Sequence, residues 1–62
     1  MHVTIEGRRF ASEDGQFIKT NNGNWYSLQT DFKWRPYTMP KRVENRLRLV
    51  EEFATASVWR RG

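Results

Sequence analysis

Cysteine is absent from the 62 residues, which excludes both disulfide staples and thiolate zinc sites. The one histidine, His2, stands beside the first residue, where fraying makes precise placement hard, so neither an activated nucleophile nor a histidine-rich metal site is expected. Ser12, Ser27 and Ser57 have no histidine near them in the sequence. Glu51 and Glu52 are adjacent, which on a helix points them about 100° apart and unsuits them to shared acid/base work. The four glycines are scattered singly, so no glycine-rich loop is present to cradle a phosphate. No apolar run approaches the roughly 20 residues that span a bilayer. The first residues also lack the basic stretch and apolar core of a signal peptide. These absences predict a cytoplasmic, non-enzymatic protein that uses no cofactor, metal, membrane or small-molecule substrate.

What remains is one small basic domain, residues 1–62, too short for a second core. Net charge is +4 and the sequence pI is about 10.1. The charge is uneven: residues 1–31 balance at −1 and residues 32–62 at +5. Such asymmetry favours an anionic partner by raising encounter rates. Nine aromatic residues (Trp 3, Tyr 2, Phe 4) are more than a sheet covered by one helix can hide, so some rings are expected on the surface.

Period-2 alternation of Val3 and Ile5 with Thr4 and Glu6 predicts a half-buried strand, and Gly7 breaks its phase at a turn or bulge. Residues 11–15, ending in Asp14-Gly15, predict a turn. Gln16–Thr20 and Trp25–Gln29 flank Asn22-Gly23, which suits a two-residue type I′ hairpin pairing Thr20 with Trp25 and Ile18 with Ser27. Thr30–Arg35 extends the meander until Pro36 ends it. From Thr38 as N-cap, with Pro40 in the first turn, a helix over residues 40–57 is predicted, because Val43, Leu47, Val50, Ala54 and Val58 form one stripe at 100° per residue. The expected fold is therefore α+β: a three- or four-stranded antiparallel meander over residues 2–35, one amphipathic helix packed on one face, and a basic tail over residues 58–62. Core candidates are Val3, Ile5, Phe10, Ile18 or Phe17, Leu28, Val43, Leu47, Val50, Phe53 and Ala54.

The segment Phe32-Lys33-Trp34-Arg35-Pro36-Tyr37 interleaves rings with cations. Rings stack on bases while Lys33 and Arg35 meet phosphate, although any half-buried strand alternates in the same way. Arg42 and Arg46, one helical turn apart, form a basic ridge or else cover apolar surface with their stems, and Lys41 stands on the opposite, charged face of the same helix. Trp59-Arg60-Arg61 carries the residue types of binding hot spots. The candidate binding residues are thus Lys33, Trp34, Arg35, Tyr37, Lys41, Arg42, Arg46, Trp59, Arg60 and Arg61.

A short meander followed by one helix resembles the three-stranded-sheet-plus-helix DNA-binding modules, such as the arm-binding domains of phage integrases. In size and style the chain also looks like the accessory proteins of bacteriophages and other mobile elements, which implies a bacterial or phage-infected host cell. The reading these features support first is nucleic-acid binding through the basic second half. The alternative is a protein-interaction module, such as an inhibitor, that grips an acidic host protein surface. A homodimer that hides the surplus rings is a third.

Overall fold

The alternation that begins at Val3 builds β1 (His2–Ser12), and this strand organises the rest of the chain. A computed structural model describes residues 1–59. After β1 come β2 (Gly15–Thr20), β3 (Trp25–Leu28), β4 (Trp34–Tyr37), a four-residue helix α1 (Lys41–Glu44) and β5 (Arg48–Trp59). The strands form one sheet of order β4-β3-β2-β1-β5, in which every pair is antiparallel. The last strand therefore returns to lie beside the first.

This arrangement corrects the α+β expectation. Residues 40–57 do not form a helix: only Lys41–Glu44 are helical, capped by Pro40 rather than Thr38, and Arg48–Trp59 are strand. The reason lies in residues 54–59, where Ala54, Ala56 and Val58 alternate with Thr55, Ser57 and Trp59. Those three small or β-branched residues pair with Gly7, Ile5 and Val3 of β1, giving β1 a partner on each side. The sheet has five strands rather than three or four, and Val58 and Trp59 close the last one instead of opening a tail. Pro36 does not end the meander either. It sits within β4, an outer strand, where a missing N–H is tolerated.

The Asn22-Gly23 hairpin forms where expected but with another turn. Gly23 N–H donates to the Thr20 carbonyl at 2.9 Å, Thr20 N–H donates to the Asn24 carbonyl at 2.9 Å, and Gly23 has φ 85°. That is a three-residue loop with glycine in the left-handed position. It shifts the register by one residue, so Ile18 faces Tyr26 and Lys19 faces Trp25. A one-residue slip moves every side chain to the opposite face.

The corrected register defines the two faces. Inward lie Ile5, Ile18, Tyr26, Ala56 and Val58, with Trp34 and Ala54 packed against them. On the other face Phe17 is buried, its ring 5.3 Å from that of Tyr37, and Phe10 lies 5.4 Å from Trp25. Lys19 sits over the Trp25 ring and reaches Glu44 at 3.7 Å, which draws α1 alongside this face. Of the expected core, Ile5, Ile18 and Phe17 are buried, while Val3, Phe10, Leu28, Val43, Leu47 and Ala54 are half-buried. Val50 and Phe53 are exposed, contrary to expectation, because the helix that was to bury them does not exist. Gly7 is not a turn: it lies inside β1 opposite Thr20, where the β2 backbone approaches too closely for a side chain, and the expected irregularity falls on the β5 side, where the register slips between Gly7 and Arg9.

Candidate functional site

Five residues, Gln29 to Lys33, join β3 to β4 and repeat the geometry of the preceding hairpin. Phe32 N–H donates to the Gln29 carbonyl at 3.0 Å, and Gln29 N–H donates to the Lys33 carbonyl at 3.0 Å. Phe32 therefore holds the place of Gly23, and its φ is 62°. A bulky residue rarely adopts this left-handed conformation. Asp31 braces the loop: its Oδ1 accepts from Lys33 N–H at 3.1 Å and its Oδ2 from the Arg35 guanidinium at 3.0 Å. The Arg35 hydrogen bond foremost, with the Lys33 amide behind it, holds the Asp31 carboxyl below its ordinary value of 3.8. The consequence is a Phe32 ring that is 85% exposed.

Trp34, Arg35 and Pro36 continue from this loop along β4. The curl of the sheet brings β4 towards β5, the outer strand at the opposite end of the strand order. Between them lies a cleft of about 600 Å³, lined by Phe32, Lys33, Trp34, Arg35 and Pro36 on one side and by His2, Ser57 and Trp59 on the other. The far wall is ordered by the pairing of His2 with Trp59, whose rings meet edge-on at 5.0 Å and 69°. Ser57 Oγ lies 3.4 Å from His2 Nδ1. Three aromatic side chains and two cations thus share one opening that, among the described residues, no carboxylate lines, although Asp31 neutralises part of the Arg35 charge from behind.

A second cleft of about 440 Å³ lies by the first half of β5 and includes Arg9, Gln16, Trp34, Glu51 and Phe53. Arg9 pairs with Glu51 at 3.2 Å, and its Nε is buried without a hydrogen-bond partner among the described residues. Among the described residues no group of three His, Asp or Glu side chains could hold a metal ion, and no helix is long and apolar enough to cross a membrane.

The chain matches no protein-family model, no curated protein and no solved structure.

Sequence-derived candidates divide accordingly. The structure brings Lys33, Trp34, Arg35 and Trp59 into the first cleft. Tyr37 instead packs on Phe17. Lys41, Arg42 and Arg46 do not line the cleft: Lys41 and Arg42 are exposed on α1, and Arg46 lines a separate hollow with Glu13 and Asp14. No basic helical ridge exists, because the helix ends at Glu44. Arg60 and Arg61 lie outside the described residues. His2 and Ser57 were missed, and Phe32 and Pro36, though part of the ring-and-cation segment, were not among the candidates. The Asp31 side chain two residues before Lys33 was the available sign of a turn at Phe32, whereas His2 and Ser57 join the site only through the β1–β5 pairing.

Proposed function

We propose that the protein is a non-enzymatic binding module that takes single-stranded nucleic acid in the cleft between β4 and β5. Bases stack on Phe32, Trp34 and Trp59, and Lys33 and Arg35 meet the phosphates. The observation that carries this reading is that opposite ends of the strand order deliver three rings and two cations to one opening with no carboxylate in its lining among the described residues. A cleft of stacking surfaces flanked by cations suits splayed bases better than a duplex, whose bases are already stacked.

Titrating short oligo-dT and oligo-U against intrinsic tryptophan fluorescence tests it. Quenching should saturate, and affinity should fall with salt at a log-log slope of roughly −0.7 per neutralised phosphate. Trp59→Ala, at a ring 62% exposed, should weaken binding by roughly 5- to 150-fold. If neither polymer binds at low salt, or if Trp59→Ala binds as well as the parent, the reading fails and an acidic protein surface becomes the partner to pursue.

A further inference from the structure

We infer that the first half of β5 is a self-association surface, on which a second copy of this chain docks antiparallel with Val50 facing its own counterpart. As an outer strand, β5 has β1 on one side. On its other side the four-residue β4 faces Ser57 and Trp59 across the cleft, so that, among the described residues, no strand pairs with this side of residues 48–53. Here three large apolar side chains stand exposed within five positions: Leu49 and Val50 at 46% each and Phe53 at 68%. Isolated exposed apolar groups are ordinary, but three within five positions of an outer strand, interrupted only by Glu51 and Glu52, mark an interface.

The charges on this stretch identify the occupant. Arg46 and Arg48 precede the apolar centre and Glu51 and Glu52 follow it. A segment that is basic at one end and acidic at the other complements its own copy when the two run antiparallel. With Val50 opposite Val50, Arg48 faces Glu52 of the second copy, Glu52 faces Arg48 of the second copy, and Leu47 meets Phe53 at both ends. Glu51 is already held by Arg9, whereas Arg48 and Glu52 make no ion pair among the described residues. The register of β5 against β1 slips twice in this stretch, between Gly7 and Arg9 and between Arg9 and Phe10. Such irregularity interrupts a continuous ladder, so side chains dominate the contact and it closes as a two-fold pair rather than growing into a fibre.

Sedimentation velocity over about a hundredfold range of concentration, up to roughly 1 mM and without nucleic acid, tests this. The parent should shift from monomer to dimer. Arg48→Glu and Glu52→Arg, which set like charges opposite each other, should each weaken the dimer at least about tenfold. The double variant R48E/E52R restores opposite charges across the two-fold and should return to within about threefold of the parent. Phe53→Ser, which leaves the buried core untouched, should remain folded by far-UV circular dichroism and monomeric. A parent that stays monomeric throughout overturns the inference, as does a folded double variant no better than the singles or a Phe53→Ser protein that still dimerises.

Discussion

Phe32 and Gly23 occupy the same place in two successive hairpins, at φ 62° and 85°, but only glycine is suited to it. For an L-residue the left-handed conformation costs about 1–2 kcal/mol. Glycine avoids that cost and returns about 0.5–1 kcal/mol as greater freedom of the unfolded chain. The Phe32 ring, 85% exposed, has little packing to lose. Phe32→Gly should therefore stabilise the protein by about 0.5–1 kcal/mol. In a domain of this size that raises Tm by roughly 2–8 °C, read by thermal unfolding with circular dichroism. The same substitution removes one stacking face and should weaken oligonucleotide binding by roughly 5- to 150-fold. A lower Tm would refute the account of strain, and unchanged affinity would remove Phe32 from the binding surface. Strain retained at an exposed ring is the sign expected of a functional position.

Gly7→Ala should be severely destabilising, by about 3 kcal/mol or more, because its Cβ would fall on the Lys19 carbonyl oxygen and 2.9 Å from the Thr20 Cα; urea unfolding measures this, and a loss under about 1 kcal/mol would show that β2 can move away. Ile18→Ala, at a side chain 1% exposed, should cost about 2–5 kcal/mol by the same assay, whereas Phe53→Ser, at a side chain 68% exposed, should cost far less. By NMR titration Asp31 should ionise below the ordinary carboxylate range and move back up in Arg35→Ala. Since its folded pKa is the depressed one, any stability it contributes is present above the unfolded pKa and lost as pH falls through the folded value; an Asp31 titration indifferent to Arg35 would contradict the hydrogen bond.

The first three strands of the meander were legible because Val3, Ile5 and the Asn22-Gly23 turn are local signals, whereas the extended piece expected over Thr30–Arg35 is a loop as far as Lys33, with β4 at Trp34–Tyr37. The second half was not legible. Val43, Leu47, Val50, Ala54 and Val58 satisfy a helical stripe, yet Ala54, Ala56 and Val58 equally satisfy a strand, and only the distant partners Gly7, Ile5 and Val3 decide between them. The loop type at Gly23 was ambiguous for a similar reason: Asn22-Gly23 suits both a two-residue and a three-residue turn, and the choice sets which of Trp25 and Tyr26 is buried. Site residues on β4 were readable from their alternation of rings and cations. Those on β1 and β5 were hidden until the returning strand placed His2 against Trp59. The surplus of rings was a sound clue: Phe32, Tyr37, Phe53 and Trp59 are exposed.

The pairing of residues 2–11 with residues 48–59 also governs how the chain must fold. During synthesis β1 emerges early, yet Ile5 stays uncovered on one side until Ala56 and Val58 have been added. Closing so long a loop is entropically slow, so maturation is expected to wait on residues 54–58 rather than proceed hairpin by hairpin. A ribosome-stalled chain ending before Ala54 would therefore remain sensitive to protease along its whole length.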